Sequence, residues 1–249
     1  MSPDIPVSRG IIARLDVWLS ILASPFLPLV RIPGEGGRFH WEFPDKRPET
    51  LMVGKAVRMV SGIKAALLLA DRGFTTECAS LLRMVSEFSQ EIISVGEGLI
   101  EGRLTEPQEC FVRQYFAPFA RSPEEFEERE RERYVSREEL FKAHYRLGAK
   151  AQVDADRLRQ LSRFLNYAFD KYVHGAYITA MELYDVSENK FVLNGHEAER
   201  PRAVVRTAVA GKLHEVISAL EIMGSFSDNA DLRRELTEAR RILDASGEY

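Results

Sequence analysis

The sequence predicts an all-α fold: a single helical bundle with a Pro/Gly-rich N-terminal arm and a small β-hairpin insertion. Apolar residues recur at three- and four-residue spacing over most of the chain, as they do in amphipathic helices. Residues typical of helix starts and stops separate these stretches. Strand-like patterns are confined to two short segments, residues 31–48 and 185–195. We therefore expect helices to form the core and the two extended segments to decorate it.

The composition is that of an ordinary globular protein, with 45% apolar and 29% charged residues. A chain of 249 residues can bury a continuous hydrophobic core without a disulfide or a metal ion as a support. The formal net charge of -4 argues against a broadly basic nucleic-acid surface, but it allows a local basic patch.

The two cysteines, Cys78 and Cys110, lie in apolar helical patterns, and neither belongs to a cluster with metal-ligand spacing. We expect free buried thiols, which are typical of a reducing, cytoplasmic compartment. The sequence contains no Gly-rich phosphate loop, no GxSxG nucleophile elbow and no HExxH pair. We therefore expect neither a metal nor another cofactor. The absence of these motifs also argues against the common enzyme classes that carry them.

Residues 1–48 are predicted to form an N-terminal helix and an extended arm, both packed on a bundle domain of residues 49–249. Ser8 is expected to cap the first helix, which ends near Ala23 before two prolines. The apolar run in this helix is interrupted by two charges and is too short for a membrane span. A core or docking helix is expected, and a membrane-surface anchor is the alternative.

The arm carries Phe39, Trp41 and Phe43 in strict alternation. This pattern predicts an extended segment whose aromatic side chains share one face. We expect that face to lie on the bundle, with a lid as the alternative.

The bundle is predicted from helix starts, apolar periodicity and turn residues taken together. The predicted elements are helices over about Glu49–Asp71, from Thr75 or Thr76 to Ile100, around Phe111–Phe116, from Ser122 through a Glu/Arg run to Glu139, over Ala155–Tyr184 and over Pro201–Phe226, a hairpin or loop at Asp185–Gly195, and a last helix capped by Ser227-Asp228-Asn229.

Two rows of polar residues on predicted helices are the candidates for a functional site, because their three- and four-residue spacing places each row on one helix face. The first row is expected opposite the apolar face of its helix and consists of Glu77, Ser80, Arg83, Glu87, Gln90 and Ser94. The second row consists of Arg163, Asn166, Asp170, His174 and Tyr177.

The chemistry of these rows suggests a phosphate or nucleotide site. Asp170 lies one turn before His174 and could orient its imidazole, while Arg83 could bind a phosphate or a carboxylate. We assign His174, Asp170 and Glu87 as candidate catalytic residues. The candidate binding residues are Arg83, Asn166, Arg163 and Tyr177. The alternative is that both rows contain only surface ion pairs and structural hydrogen bonds.

Two segments carry a family resemblance. Residues 72–87 contain Gly, then Ala, then Leu-Leu-Arg with Glu four residues later, and residues 161–175 contain Leu-Ser followed by Tyr-Val-His. Both resemble segments of uncharacterised bacterial helical proteins that look akin to HEPN domains. The resemblance implies a helical bundle, a role in bacterial defence, toxin or stress systems, and association into dimers.

Active HEPN ribonucleases carry an Arg followed four to six residues later by His. In this chain Ala168, Phe169 and Asp170 occupy those positions before His174, so the resemblance implies the fold more directly than the activity. Three functions stay open: a HEPN-like module that binds a nucleotide, RNA or a protein partner, a metal-independent ribonuclease, and a structural or interaction protein that forms a defined oligomer.

Overall fold

The computed structural model describes residues 5–33, 37–117, 122–124, 127, 135–136, 139–140, 160, 167 and 170–248. The part of the chain that it describes consists of helices and two small antiparallel sheets of two strands each. This architecture confirms the predicted all-α class and the small hairpin.

The helices and strands follow one another along the chain as α1 (Pro6–Ala23), β1 (Val30–Pro33), β2 (Phe39–Glu42), α2 (Pro48–Arg72), α3 (Thr75–Ile100), α4 (Glu106–Tyr115), α5 (Tyr177–Met181), β3 (Tyr184–Asp185), β4 (Lys190–Phe191), α6 (Glu199–Gly224) and α7 (Ala230–Ser246). A short 3-10 turn at Ser24–Phe26 follows α1.

The long helices α2 and α3 form a hairpin whose ends follow local rules. Pro48 occupies the first turn of α2, and the backbone N–H of Arg47 donates to Thr50 Oγ1 at 3.1 Å. Gly73 ends α2 with a left-handed φ of 78°, and α3 begins two residues later. The predicted limits of both helices agree with the observed ones to within about one residue.

Helix α3 is the centre of the core, where it packs against α2, α4 and α6. Its apolar side is completely buried at Leu82, Val85, Ile92 and Val95. Helix α1 belongs to the same core, since it packs against α2, α6 and α7. Cys78 and Cys110 are free and buried, and burial raises the pKa of the Cys78 thiol to about 12.

The N-terminus of α1 is capped by the other end of the chain. The carboxylate of Glu248 accepts the backbone N–H groups of Val7 and Ser8 at 3.0 and 2.9 Å, and the Ser8 hydroxyl donates to it at 2.7 Å. The prediction that Ser8 caps this helix is therefore wrong. The helix begins at Pro6, which places Ser8 inside the first turn, and Glu248 takes the free backbone donors.

The aromatic arm forms a hairpin in which β1 pairs with β2. Phe43 packs against the core, but Phe39 and Trp41 remain 48% and 58% exposed. The expectation of an aromatic face lying on the bundle is wrong for these two residues. Because β2 ends at Glu42, Phe43 lies beyond the strand and can pack against the core. The side chains of Phe39 and Trp41 lie on the exposed face of the strand.

The helix predicted over Ala155–Tyr184 is wrong in its C-terminal part. Residues 170–173 are helical, but a turn follows at His174–Gly175, and Tyr184 belongs to β3. Gly175 has a φ of 60°, and a Cβ atom there would meet nothing within 4 Å. This glycine therefore permits a left-handed turn, and within the part of the chain that the structure describes no neighbouring backbone requires it to lack a side chain.

Most of the predicted Glu/Arg helix between Ser122 and Glu139 lies outside the described residues. Among the helices that are described, none combines the length and the apolar composition that crossing a bilayer requires.

Candidate functional site

The polar residues of α3 are enclosed by other elements. Glu77 is exposed and Ser80 is half-buried, but Arg83, Gln90 and Ser94 are buried. The Ser94 hydroxyl donates to the backbone carbonyl of Leu140. Half of this row, which we call the α3 polar row, is therefore buried and not displayed to solvent. The cause is the central position of α3, which is covered on more than its apolar side.

Arg83 forms two ion pairs that bring three of the predicted site residues together. Its Nη1 lies 2.7 Å from Glu87 Oε1, and its Nε lies 3.0 Å from Asp170 Oδ1. The Arg83 side chain is only 4% exposed, whereas that of Asp170 is 46% exposed. Among the described residues, two carboxylates therefore compensate one guanidinium, which leaves this guanidinium little positive charge with which to attract a phosphate.

His174 is not joined to this cluster by the contacts of the described residues. Its backbone N–H donates to the Asp170 carbonyl at 3.0 Å, as at the end of a helix, but the Asp170 carboxylate is directed to Arg83. The His174 side chain is exposed, and Tyr177 is 80% exposed. Asn166 and Arg163, the other two predicted binding residues, lie outside the described residues.

A second polar cluster joins α3 to α6. The Ser86 hydroxyl donates to Glu215 at 2.6 Å, and Lys212 Nζ lies 2.5 Å from the same carboxylate and 3.2 Å from Ser86 Oγ. Ser86 and Lys212 are 2% and 7% exposed. Since only Glu215 is partly exposed and its carboxylate already binds Ser86 and Lys212, we interpret the cluster as a contact that fixes the two helices.

A cavity of about 370 Å³ lies beside the first turns of α6 and brings several polar side chains together, while a larger cavity of about 560 Å³ lies between α1 and α7. This α6 cavity has a mainly apolar lining with a few polar groups, the usual composition of a small-molecule pocket. Its lining residues are Thr75 and Ala79 of α3, Tyr172, Glu182 and His196 from the connecting segment, and Arg200, Pro201, Val204 and Val205 of α6.

Two glycines hold His196 at the cavity. The backbone N–H of His196 donates to the Gly73 carbonyl at 2.9 Å. A Cβ atom on Gly73 would lie 2.1 Å from the His196 carbonyl oxygen, and one on Gly195 would lie 2.2 Å from the carbonyl oxygen of Arg72. Both glycines also have positive φ. The loop before α6 is therefore pressed against the α2–α3 turn at a spacing that only glycine allows.

The imidazole of His196 has a defined tautomer when it is neutral. Its Nε2 lies 3.1 Å from the backbone carbonyl of Glu182, which can only accept a hydrogen bond. Nε2 therefore carries the proton, and Nδ1 is the acceptor.

Tyr172 and Glu182 form a polar pair in the cavity wall. The Tyr172 phenol donates to Glu182 Oε1 at 3.0 Å. Burial raises the pKa of Tyr172, and the nearby Glu182 carboxylate raises it further. The phenol therefore remains protonated at neutral pH and keeps this hydrogen bond.

Arg200 differs from the other arginines of the first two turns of α6. Arg202 donates to the His196 carbonyl at 2.7 Å, and Arg206 pairs with Asp71 at 3.0 Å and with Glu199 at 2.5 Å. Arg200 is exposed at the cavity, and no acceptor among the described residues contacts its guanidinium. It is thus a cation that is available to an anionic ligand.

Sequence reasoning missed His196, Arg200 and Glu182. No spacing rule connects the three residues, because His196 lies in a loop, Arg200 in the first turn of a helix and Glu182 in a turn. Gly73 and Gly195 were the available local signals, but each one taken alone indicates only a turn.

The described residues contain no group of three or more His, Cys, Asp or Glu side chains placed to hold a metal ion. A scan against protein-family models, a search of curated proteins and a search of solved structures found no match to this chain. The site has to be interpreted from its own residues.

Proposed function

We propose that this chain is a HEPN-like helical module that binds a nucleotide in the α6 cavity. The observation that carries the proposal is a mainly apolar cavity of about 370 Å³ lined in part by Arg200, whose guanidinium contacts no acceptor among the described residues. Pockets of roughly 300–1,000 Å³ with a few well-placed polar groups are the usual size for small-molecule ligands.

The cavity has groups suited to the base and to the phosphate of a nucleotide. Ala79, Val204 and Val205 offer apolar surface to a base. Arg200 supplies a charge-assisted donor for a phosphate. Nδ1 of His196 and the carboxylate of Glu182 are acceptors for the N–H groups of a base. Apolar and polar groups therefore meet within one small space, as nucleotide recognition requires.

The ribonuclease alternative has less support. It needs His174 beside a cation that can bind phosphate, whereas Arg83 is paired with two carboxylates and Asp170 does not orient the His174 ring. The proposal also places the module in a bacterial defence or stress system, and the support for that placement is the resemblance of residues 72–87 and 161–175 to HEPN-like proteins.

Calorimetric titration of the full chain with ATP, ADP, AMP, GTP and UTP tests the proposal. We expect at least one of them to bind, and we expect Arg200→Ala to weaken that binding about tenfold, the value of one charge-assisted hydrogen bond. Arg241→Ala is the matched control, because Arg241 is an exposed arginine that pairs with Glu238 on α7 and does not line the cavity.

The proposal fails if none of these nucleotides binds, or if the two arginine variants bind equally well. The ribonuclease alternative is tested separately with a labelled RNA. Cleavage by the wild-type chain that disappears in His174→Ala would favour catalysis over simple binding.

A further inference from the structure

The β1–β2 hairpin displays an aromatic and cationic face away from the core. Residues directly opposite in an antiparallel pair share a face, and here Arg31 is opposite Trp41 and Pro33 is opposite Phe39. All four side chains are exposed. We call this set of four residues the Trp–Arg–Phe face.

The side chains of this face are already arranged as a stacked group. The Arg31 guanidinium carbon lies 4.0 Å from the centre of the Phe39 ring. The Phe39 and Trp41 rings meet edge to face with their centres 5.8 Å apart. Such contacts hold the three side chains in fixed relative positions, so a planar ligand would meet an ordered surface.

The exposure of this face is not explained by folding. A tryptophan that is 58% exposed and a phenylalanine that is 48% exposed contribute little of their apolar area to the core. Phe43, at the base of the same hairpin, does pack against the core. An exposed cluster of large apolar side chains on a soluble surface typically marks an interaction site.

The charge of the hairpin is distributed unevenly between its two faces. Glu42, opposite Val30 on the other face, is bound by His40 Nε2 at 2.9 Å and by Lys46 Nζ at 3.0 Å. The hydrogen bond from His40 is the main reason that the pKa of Glu42 is lowered, and Lys46 adds to the effect. Among the described residues of the hairpin, the Trp–Arg–Phe face therefore contains a cation, Arg31, and no acid.

We propose that the Trp–Arg–Phe face binds single-stranded nucleic acid by stacking. Bases would stack on the Trp41 indole and on the Arg31–Phe39 pair, and the edge of the guanidinium would donate to a phosphate. This surface is separate from the α6 cavity, so the inference does not depend on the nucleotide proposed there.

The position of Arg31 favours nucleic acid over a lipid surface. Arg31 lies within the aromatic group, so inserting this face into a bilayer would carry a guanidinium toward the acyl chains. In a complex with a single strand, the same guanidinium is both a stacking platform and a phosphate ligand. The net charge of -4 argues only against a broad electrostatic surface, and stacking on a small face does not require one.

Fluorescence anisotropy with labelled oligo-dT and oligo-U of about twelve nucleotides tests the inference. We expect binding to both, and we expect Trp41→Ala and Arg31→Ala each to weaken it roughly tenfold. Phe191→Ala is the matched control, because Phe191 is a 50% exposed aromatic residue on the other hairpin, where it contacts Tyr184. Circular dichroism verifies that each variant is folded.

Three outcomes would overturn the inference. The first is that neither oligonucleotide binds at low salt, and the second is that Trp41→Ala binds as well as Phe191→Ala. The third is that vesicles of phosphatidylcholine and phosphatidylserine, but not oligonucleotides, lose their binding in Trp41→Ala. That third result would assign the face to a membrane surface.

Discussion

The α3 polar row and the α6 cavity each contain an arginine, but the two arginines have opposite surroundings. Arg83 is 4% exposed and is paired with Glu87 and Asp170. Arg200 is exposed and contacts no acceptor among the described residues. A guanidinium that is enclosed by protein must be paired, because an unpaired buried charge is very costly, whereas one at a cavity mouth stays hydrated until a ligand arrives. The exposure of its guanidinium, and not the residue type, therefore decides whether an arginine is free to meet a ligand.

The largest expected effect comes from removing the enclosed arginine. Arg83→Ala leaves Glu87 and Asp170 without their common cation, and we expect it to lower the free energy of unfolding by about 3 kcal/mol. Arg200→Ala should change that free energy by no more than about 0.5 kcal/mol, because it removes no ion pair or hydrogen bond that the described residues make. Urea unfolding followed by circular dichroism measures both values, and equal losses in the two variants would contradict the comparison.

A smaller effect is expected at the turn that holds His196. Gly73→Ala combines a left-handed backbone with a Cβ atom 2.1 Å from the His196 carbonyl oxygen. Gly102 has the same φ of 78°, but a Cβ atom there meets nothing within 4 Å. We expect Gly102→Ala to cost about 1 kcal/mol and Gly73→Ala about 2 kcal/mol.

The same pair of variants separates stability from binding. Gly73→Ala should also weaken nucleotide binding, because relieving the overlap moves the loop that carries His196. Gly102→Ala should leave the affinity unchanged. Calorimetric titration of both variants makes the comparison, and if Gly73→Ala retains full affinity, then the glycine contact does not position the cavity.

The elements that sequence reasoning located correctly are those with strong local signals. Gly73 ends α2 because its left-handed φ is tolerated only by glycine and a few other residues. Asn229 caps α7 by accepting the backbone N–H of Leu232 at 2.9 Å. Each signal acts within one helical turn, so it is present in the sequence whatever packs around it.

The wrong helix limit arose because a helical pattern was extended through a glycine, which can either lie within a helix or end one. Gly175 falls inside the helix predicted over Ala155–Tyr184, whereas in the structure it has a φ of 60° and follows the end of the helical segment that contains Asp170. The predicted second row is therefore interrupted between His174 and Tyr177, its last two members. Periodicity also places Arg83 on a face of α3, but it does not say what covers that face.

The α6 cavity was beyond prediction for a physical reason. Its polar residues lie on segments that are distant in sequence, and they meet only because the loop at Gly195 touches the turn at Gly73. Such a contact depends on the packing of α2, α3 and α6, which the local patterns of a single sequence do not reveal.

The smallest expected effect concerns a third arginine, Arg206, which lies less than two turns beyond Arg200 on α6. Asp71 holds Arg9 through two hydrogen bonds of 2.9 and 2.6 Å and Arg206 through one of 3.0 Å. Since these side chains are partly exposed, solvent screens the pairs. We expect Asp71→Asn to lower the free energy of unfolding by about 1 kcal/mol at neutral pH.

The pH dependence of that loss identifies its origin. The hydrogen bond from Arg9, and then that from Arg206, holds the pKa of Asp71 below the ordinary aspartate value of 3.8. Because the folded-state pKa is the lower one, the stabilisation is complete above about pH 5 and is lost as the pH falls through the folded-state value. The difference between the wild type and Asp71→Asn should therefore be constant from about pH 7 to 5 and shrink below about pH 4. Arg200→Ala, which breaks no ion pair, should show no such change in urea unfolding over the same range. If the Asp71→Asn difference stays constant in acid, then the carboxylate charge is not what holds α1 and α6 to the end of α2.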